Sequence, residues 1–324
     1  MNFPFFIARR YFLTKKLRNV INIISLISVI GVAVGTMALV VVLSVFNGFE
    51  GLIKSTYNAF DPDIKITPAT GKTFNPVGDE RFAKVEKLAG VEVFSRVLEE
   101  NVLIRYDDKQ HIGRIKGVEK NFEVLSGVDS MITNGRYVLE ENNREFAVVG
   151  QGLAYFLSIS LNFMEPLNIY VPERGQAAMF NPREAFNRKY IFPSGVFSTQ
   201  PEYDQKYVLV PIEFARELLD YRSEVTSIEI AVKDGYPVNQ VEEQIQQILG
   251  DDFKVQNRYE QHEVFYKVMQ SEKWYIFLIL TFILIVASFN IIGSLTMLII
   301  DKKADIIIFR SLGANLKTIR RIFF

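Results

Sequence analysis

The sequence contains no cysteine, two histidines and one tryptophan among its 324 residues. Without cysteine the chain forms no disulfide and offers no thiolate ligand to a metal ion. His111 and His262 stand far apart in the sequence, without the neighbouring carboxylates of a zinc site, and we interpret both as surface residues. The sequence therefore predicts no metal site.

Motifs of ATP binding and of covalent catalysis are also missing. No Gly-x-x-x-x-Gly-Lys-Ser/Thr phosphate loop occurs, and no serine lies in a nucleophile elbow. The segment Gly150-Gln151-Gly152 follows an apolar run but lacks the third glycine of a dinucleotide loop, so we interpret it as a tight strand-to-helix turn. We predict no catalytic residue and no cofactor, and any work that the protein performs draws its energy from a partner.

Charge is absent from two long apolar stretches, residues 19–49 and 274–300. A membrane-spanning helix needs about 20 apolar residues to cross the hydrocarbon layer, and the second stretch offers 27. A charged side chain at mid-membrane costs about 2.5–3.5 kcal/mol on insertion scales. The sequence therefore predicts a membrane α-helical protein with two transmembrane helices, at 20–48 and 274–300, on either side of a large polar region.

The flanking charges predict the orientation of these helices. Five basic and no acidic residues precede the first stretch, and six basic and two acidic residues follow the second, so the ends carry +5 and +4. Because the chain is neutral as a whole, the region between the stretches must carry −9. Basic flanks remain in the cytoplasm, so we expect both ends inside and the large domain outside. The neutral total gives no reason to expect nucleic-acid binding.

A cleaved signal peptide is the alternative interpretation of the first stretch. The apolar part of a signal peptide runs for about 7–15 residues and ends at small residues. Residues 20–46 form a far longer run that continues into the bulky segment Phe46-Asn47-Gly48-Phe49. We therefore expect this stretch to remain as a membrane anchor.

The N-terminal part of the chain holds two further patterns. In the cytoplasmic segment 1–19, aromatic residues alternate with basic ones, and both a short amphipathic helix in the headgroup layer and a plain basic topology signal stay open. Within the first span, Gly31 and Gly35 form a Gly-x-x-x-Gly pattern, which lets helices approach closely in lipid. We predict that these two glycines pack against another helix.

The outer region, 49–273, mixes strand-like and helical patterns and is large enough for one or two folded units. Apolar and β-branched runs predict strands at 64–67, 91–97, 101–106, 112–118, 145–149, 167–171, 190–197, 207–210 and 225–232. Apolar residues at helical spacing predict helices at 79–88, 151–157, 211–219 and 238–249. We predict an extracytoplasmic α+β domain, and the strands disfavour a purely helical sensor bundle.

A long connection is predicted between the strands that end at Val171 and begin at Tyr190. Connections of this length are commonly functional or disordered. Apolar side chains stand among basic ones in it, and the residues that we predict to contact a partner are Arg174, Met179, Phe180, Arg183 and Arg188. An exposed arm that contacts a partner and a mobile solvated loop both stay open.

The cytoplasmic tail, 301–324, begins directly after the second apolar stretch, and Gly313-Ala314 divides it into two short helical pieces. The first piece carries apolar residues between charged ends, which is typical of a helix that lies in the groove of a partner protein. The residues predicted to make this contact are Lys302, Lys303, Asp305, Ile306, Ile308, Phe309, Arg310, Leu312 and Gly313. The second piece is typical of a basic lead-in to another span.

Short motifs mark the ends of these parts in a fixed order. They are Asn47-Gly48-Phe49, Tyr203-Asp204, Glu272-Lys273-Trp274, Phe289-Asn290-Ile291 and the stretch from Lys302-Lys303-Ala304-Asp305-Ile306 to Leu312-Gly313-Ala314. In this order the chain resembles the FtsX-like family of ABC-transporter permeases, and within it the lipoprotein-releasing (Lol-type) branch. The likeness covers nearly the whole chain, and its specificity comes from the joint order of the motifs.

The resemblance implies a non-catalytic permease subunit in the bacterial inner membrane, which extracts lipoproteins and passes them to a periplasmic carrier. It implies an outer domain of the MacB-like type and a coupling helix at 304–312 that docks on a separate cytoplasmic ABC ATPase. It also implies a second permease subunit, identical or paralogous, and a carrier-recruiting part within 172–188. Family members continue into third and fourth spans, so the resemblance implies that residues 1–324 are a fragment.

Three alternatives stay open. A MacB-type efflux or mechanotransmission permease has the same plan and differs in its cargo. An FtsX-type regulator of cell-wall hydrolases binds an extracellular enzyme through an outer domain smaller than this one. A two-span sensor carries a continuous signalling helix after the second stretch, and the Gly313-Ala314 break disfavours it.

Overall fold

A computed structural model describes residues 6, 20–57, 60–161, 165–173, 186–301 and 303–323. Contacts divide the chain into two units, Met1–Glu50 together with Lys267–Phe324, and Gly51–Tyr266. We call them the helical unit and the sheet unit. The amphipathic segment predicted in residues 1–19 lies outside the described residues, except for Phe6.

The helices in chain order are α1 (Val20–Tyr57), α2 (Glu80–Glu86), α3 (Phe122–Ser126), α4 (Gln151–Leu157), α5 (Pro201–Asp204), α6 (Ile212–Leu219), α7 (Val238–Leu249), α8 (Arg258–Gln261), α9 (Glu263–Asp301), α10 (Lys303–Ser311) and α11 (Leu316–Phe323). Short 3₁₀ helices occupy Val128–Met131 and Gly250–Asp252. The strands are β1 (Ile64–Pro68), β2 (Val91–Tyr106), β3 (Lys109–Val118), β4 (Ile132–Gly135), β5 (Glu140–Glu141), β6 (Arg144–Gly150), β7 (Leu167–Pro172), β8 (Phe186–Phe197), β9 (Tyr207–Pro211), β10 (Ser227–Val232) and β11 (Phe253–Asn257).

The long helices α1 and α9 form from runs of isoleucine, valine, leucine and phenylalanine that contain no proline. Their segments Val29–Gly48 and Tyr266–Met297 are long and apolar enough to cross a membrane, judged by length and composition. Many of their large apolar side chains are exposed. Such exposure is unfavourable in water and costs nothing in hydrocarbon, so these helices have the character of membrane spans.

The sheet unit is built on one sheet in the order β11-β1-β10-β2-β3-β9-β6-β8-β4, with β5 beside β6 and β7 beside both β2 and β8. Most pairs are antiparallel, and the parallel pairs are β3 with β9 and β6 with β8. Helix α7 buries Val241, Ile245 and Leu249 at helical spacing and packs against β11 and α2. The core therefore arises from alternating strands covered by the apolar stripes of short helices.

The predicted strands and helices of the outer region are confirmed, with shifted ends. The strands predicted at 91–97 and 101–106 form one strand, β2, because the intervening Glu99 lies among cations inside the unit. Strand β11 was not predicted from the sequence, since its residues, Phe-Lys-Val-Gln-Asn, are too polar to stand out. The mixture of strands and helices confirms the predicted α+β class.

Strand β11 lies at the end of the sheet, and the side chain of Gln246 covers its outer side. Gln246 Nε2 donates to the Phe253 carbonyl oxygen at 3.1 Å, and Val255 N donates to Gln246 Oε1 at 3.2 Å. One amide side chain from α7 thus makes the two hydrogen bonds that a neighbouring strand would make. Two backbone groups of this edge strand are thus satisfied within the unit.

Candidate functional site

The segment predicted to couple to a partner begins directly after α9. Helix α10 ends in a turn in which Ala314 N donates to the Phe309 carbonyl at 3.0 Å and Gly313 N donates to the Arg310 carbonyl at 3.1 Å. Gly313 has φ +88°, the left-handed conformation that glycine adopts without strain. Asn315 then caps α11 by accepting from Thr318 N at 2.9 Å. The predicted break at Gly313-Ala314 is confirmed.

Helix α10 has one exposed apolar face. Ile307, Ile308 and Leu312 are 57 %, 58 % and 78 % exposed, and their spacing brings them together on one side of the helical path. Ile306 and Phe309 are half-buried on the other side. We call Ile307, Ile308 and Leu312 the α10 face.

The residues predicted for this segment differ in their exposure to solvent. Lys303, Ile308, Arg310, Leu312 and Gly313 are exposed, Asp305, Ile306 and Phe309 are half-buried, and Lys302 lies outside the described residues. Ile307 belongs to the predicted apolar piece but is not among the residues predicted to make the contact. Four consecutive apolar residues, 306–309, cover every direction around a helix, so their sequence cannot select a face. The role of each residue in coupling stays a prediction.

Of the two glycines predicted to pack, Gly35 lies beside the second long helix. A Cβ atom added at Gly35 would lie 3.9 Å from Ile283 Cγ2, whereas one added at Gly31 would meet nothing within 4 Å. Gly35 therefore lies on the side of α1 that faces α9 within the helical unit. A packing role for Gly31 stays a prediction.

Most residues of the predicted partner-contact loop are not among those that the structure describes. Arg174, Met179, Phe180 and Arg183 lie outside the described residues. Arg188 is not in a loop, as was predicted, but in β8, where it pairs with Tyr170. Its Nη2 donates to Asn168 Oδ1 at 2.7 Å. The alternation of residues 186–190 extends the strand by four residues beyond its predicted start at 190, which corrects the prediction.

Strand β8 carries a row of exposed side chains at alternate positions. Phe186, Arg188, Tyr190 and Phe192 are all exposed, and we call them the β8 face. An open cleft of about 790 Å³ runs along it and includes Phe146 on the neighbouring strand. Exposed aromatic residues with an arginine are the composition of protein contact surfaces.

A cluster of charged residues lies inside the sheet unit. Lys116 is 3 % exposed and its Nζ lies 2.9 Å from Glu229 Oε1 and 3.4 Å from Glu99 Oε1, while the Glu229 side chain is fully buried. Lys65 and Arg114 approach the same carboxylates at 3.7–3.9 Å. Two carboxylates thus share three cations, which satisfies charges that would be costly alone.

The pKa values in this cluster follow from the pairing. Burial by itself would lower the pKa of Lys116, but the neighbouring Glu229 and Glu99 outweigh it and raise the pKa. Burial by itself would raise the pKa of Glu99, but Lys65, Lys116 and Arg114 lower it. Lys116 and Glu99 therefore stay charged near neutral pH.

Phe60, four residues before β1, inserts into a cluster of aromatic rings. Phe60 is 2 % exposed, and its ring centroid lies 4.6 Å from that of Tyr203 and 5.8 Å from that of Phe197. The ammonium of Lys116 lies 4.9 Å from the Phe60 ring centroid and 4.8 Å from that of Phe122. The charged cluster and the aromatic cluster are therefore contiguous.

The next residue, Asp61, joins three separate segments. Its Oδ1 accepts from the Tyr203 hydroxyl at 2.7 Å, and its Oδ2 lies 2.8 Å from His262 Nε2. The Asp61 carbonyl accepts from Arg258 Nε at 3.0 Å. We call Asp61, Tyr203, Arg258 and His262 the junction.

Sequence reasoning missed the junction and interpreted His262 as a surface residue, which is wrong. The hydrogen bond to Asp61 raises the pKa of His262, and burial opposes this only in part. Burial, with Asp61 close by, raises the pKa of Tyr203, so its hydroxyl stays protonated and donates. The contact between Asp61 and His262 leaves no local pattern in the sequence, because the two residues are 201 positions apart in the chain.

The motif Tyr203-Asp204 has a structural role in each of its residues. Tyr203 reaches Asp61, while Asp204 accepts from Thr199 N at 2.7 Å and from Ser198 Oγ at 2.9 Å. A Cβ atom at Gly150 would lie 2.3 Å from the Asp204 carbonyl oxygen, so the turn from β6 into α4 requires glycine there. The predicted strand-to-helix turn at Gly150 is confirmed.

Within the described part of the chain, no group of three or more histidine, aspartate or glutamate side chains is placed to hold a metal ion. The charged side chains of the sheet unit instead pair with one another across strands. The closest of these cross-strand pairs among the described residues is that of Lys116 with Glu229.

Comparison with known proteins identifies the outer region. A family described as MacB-like periplasmic core domain matches residues 25–169. The chain is 30 % identical to the lipoprotein-releasing system transmembrane protein LolC of Buchnera aphidicola, over 98 % of this chain and 77 % of that protein. It is 27 % identical to the corresponding LolE of Haemophilus influenzae, over 100 % of this chain and 77 % of that protein.

Among solved structures, the periplasmic region of MacB from Actinobacillus actinomycetemcomitans aligns with 64 % of this chain and 92 % of that chain, with 11 % identity and a TM-score of 0.44. The sequence matches confirm the resemblance that the order of motifs indicated, and the family match confirms the MacB-like type of the outer domain.

Proposed function

We propose, because the chain belongs to the FtsX-like family of lipoprotein-releasing ABC-transporter permeases, that it is a permease subunit that extracts lipoproteins from the bacterial inner membrane. It passes them to a periplasmic carrier. A separate cytoplasmic ATPase supplies the energy, and a second permease subunit, identical or paralogous, completes the membrane part. The names of the relatives, which are lipoprotein-releasing system transmembrane proteins, support this proposal.

The charges that flank the two spans determine the membrane topology that we propose. The N-terminal segment 1–19 and the tail 301–324 lie in the cytoplasm, the spans are 20–48 and 274–300, and residues 49–273 form the periplasmic domain. The excess of basic residues on both flanks supports this orientation. The protein is then multi-pass, with the α10 face on the side where ATP is hydrolysed.

The observation that carries the proposal is the α10 face. Ile307, Ile308 and Leu312 are exposed on a short helix that follows the second long helix after a single residue. Exposed apolar side chains on one side of a helix fit a hydrophobic groove in a partner. Lys303 and Arg310 at the two ends of α10 are exposed and supply charges for the rim of such a contact.

The mechanism is mechanical coupling. ATP-driven closure of the ATPase subunits pushes α10, and α9 carries this displacement across the membrane to the sheet unit. The acyl chains of a lipoprotein resist extraction, because each buried methylene contributes about 0.8 kcal/mol to membrane binding. Extraction therefore needs an external energy source, and a permease without its own nucleotide site receives it through a contact such as the α10 face.

A release assay tests the whole proposal. Proteoliposomes that hold the full-length permease complex and a labelled lipoprotein are supplied with ATP and a soluble carrier. We expect ATP-dependent transfer of the label to the soluble fraction. Efflux of small molecules without lipoprotein release would instead support the MacB-type alternative and overturn this proposal.

The double variant Ile307→Glu/Ile308→Glu is expected to abolish association with the ATPase. Burying a carboxylate in an apolar groove costs several kcal/mol, so the amount of ATPase that co-purifies falls by about 100-fold or more. Co-purification on the tagged permease measures it. Val77→Glu is the matched control, since Val77 is 64 % exposed in the sheet unit. Equal co-purification for both proteins would contradict a docking role for the α10 face.

The double variant Tyr190→Ser/Phe192→Ser tests the β8 face as a carrier contact. Aromatic anchors in an interface contribute about 1–3 kcal/mol each, so transfer to the carrier falls by about tenfold or more, while ATP hydrolysis is unchanged. The transfer assay measures this effect. Tyr155→Ser serves as the control, because Tyr155 is 88 % exposed and lies on α4, outside the β8 face. If both variants transfer lipoprotein equally well, the carrier binds elsewhere.

A further inference from the structure

The junction holds together the two chain segments that connect the sheet unit to the long helices. Phe60 and Asp61 lie three and four residues beyond the end of α1 at Tyr57, and His262 is the residue immediately before α9. Both segments belong to the sheet unit. The chain path from β11 to α9 therefore runs through α8 and His262.

Asp61 makes the direct contacts between these segments. Its side chain is 12 % exposed and that of His262 is 23 % exposed, so the contact is shielded from water. Two backbone carbonyls also connect these segments. The Asp61 carbonyl accepts from Arg258 Nε at 3.0 Å, and the Pro62 carbonyl accepts from Gln261 Nε2 at 3.3 Å. Asp63 lies 3.4 Å from Arg258 Nη2. The incoming segment is thus tied to the outgoing one at several points, with Asp61 at the centre.

Tyr203 fixes Asp61 to the body of the sheet unit. Its hydroxyl donates to Asp61 Oδ1 at 2.7 Å, and its ring stacks in the aromatic cluster around Phe60. The two carboxylate oxygens of Asp61 therefore have different partners, one in the body of the unit and one at the start of α9. A carboxylate is suited to this position, since each of its oxygens accepts a hydrogen bond and its charge complements protonated His262.

We propose that Asp61 is a positioning residue that locks the start of α9 to the body of the sheet unit, so that movement of α9 is converted into rigid movement of the whole unit. This proposal rests on the proposed function, in which such a movement drives release. Without Asp61 the start of α9 moves independently of the strands. ATP is then hydrolysed with little lipoprotein released.

The charges around His262 give the lock a pH dependence. Asp61 on the incoming segment and Glu202 on α5 favour the protonated imidazole, while Lys65 on β1 opposes it. Arg258 on α8 is held by Asp61 and Asp63. Since the pKa of His262 is raised on folding, its contribution is fully present below the unfolded value of about 6.5 and is lost as the pH rises through the folded value. The lock is therefore tighter at pH 6 than at pH 9.

Asp61→Asn tests the lock, because asparagine keeps the size of the side chain and removes its charge. In proteoliposomes with the full-length complex, the lipoprotein released per ATP hydrolysed at pH 6 is expected to fall by about tenfold, the effect of losing one charge-assisted hydrogen bond. The rate of ATP hydrolysis stays within about twofold of the wild type, since the α10 face is unchanged. Wild type and variant converge as the pH is raised to 9, because His262 loses its charge.

Hydrogen exchange on the full-length protein in lipid nanodiscs gives a readout that does not depend on transport. In Asp61→Asn, amides in residues 60–63 and 258–266 are expected to exchange about tenfold faster, while those of β2 and β3 keep their rates. Raising the pH of the wild type from 6 to 9 produces the same pattern beyond the intrinsic effect of pH. Glu217→Gln is the control, because it breaks only the exposed ion pair with Lys189.

The outcomes separate the lock from the proposed function. Unchanged exchange in either segment, or unchanged release per ATP, overturns the lock. Faster exchange throughout the sheet assigns Asp61 to general stability and also overturns it. If the wild type releases no lipoprotein at all while the two segments loosen as expected, the proposed function fails and the lock between α9 and the sheet unit stands.

Discussion

Replacing Phe60 by alanine lowers the free energy of unfolding of the sheet unit by about 3–5 kcal/mol. Phe60 is 2 % exposed and its ring contacts those of Phe122, Phe197 and Tyr203. Alanine removes the apolar surface that the ring buries and leaves a cavity that the surrounding rings fill only in part. It also removes one of the two ring faces that lie next to the ammonium of Lys116.

Hydrogen exchange of the slowest amides in β2 and β3 measures this change, because these amides exchange only through global opening. Phe60→Leu keeps an apolar side chain at the site and is expected to cost about 1.5 kcal/mol or less. Tyr155→Ala removes an aromatic side chain that is 88 % exposed and is expected to change stability by less than about 0.5 kcal/mol. Equal losses of unfolding free energy for Phe60→Ala and Tyr155→Ala would contradict a stabilising role of the Phe60 ring in the sheet unit.

Replacing Lys116 by methionine is expected to lower the free energy of unfolding by about 3–5 kcal/mol. Methionine has nearly the length of the lysine stem, so packing changes little. The loss arises because Glu229, whose side chain is fully buried, loses the ammonium at 2.9 Å. Among the described residues it then keeps only Lys65, at 3.7 Å, as a cationic partner. Burial of a carboxylate without close pairing is costly, and hydrogen exchange of the same sheet amides measures the cost.

Two measurements identify charge, and not packing, as the cause of this loss. The double variant Lys116→Met/Glu229→Met removes both charges and is expected to recover most of the stability, since apolar replacement of a whole buried pair is often neutral. The deficit of the single variant also shrinks as the pH falls towards about 4.3, where an unpaired glutamate takes up a proton. A double variant as unstable as the single one would point to packing.

The parts of the fold that the sequence predicts are those with a strong local pattern. The absence of charge from 274–300 is sufficient to predict an apolar helix, whatever surrounds it. Helix α7 is predicted from Val241, Ile245 and Leu249, which repeat every four residues and are all buried. The break after α10 follows from Gly313, whose positive φ few other residues adopt.

The parts that the sequence does not predict depend on contacts between distant segments. Glu99 interrupts an apolar run and so divides β2 in the prediction, although three cations neutralise it in the fold. His262 has no metal-binding neighbours in the sequence, and its partner Asp61 lies 201 positions earlier in the chain. Local pattern carries no information about either partner.

The residues of the candidate site also fall into those that a local pattern predicts and those that depend on distant contacts. The position of α10 after the second long helix is evident from Asp301 to Leu312, but which isoleucine faces outward depends on what the helix packs against. Arg188 was assigned to a loop because Asn187 and Lys189 dilute the apolar pattern, whereas pairing with β7 makes the segment a strand. Tertiary pairing outweighs local propensity in both cases.

The amide of Gln246 at the margin of the sheet has a consequence for association between copies of the chain. The Phe253 carbonyl and the Val255 amide already have a partner, so these two groups are not free to pair with a strand of another copy. At these two positions Gln246 therefore disfavours edge-to-edge pairing along β11.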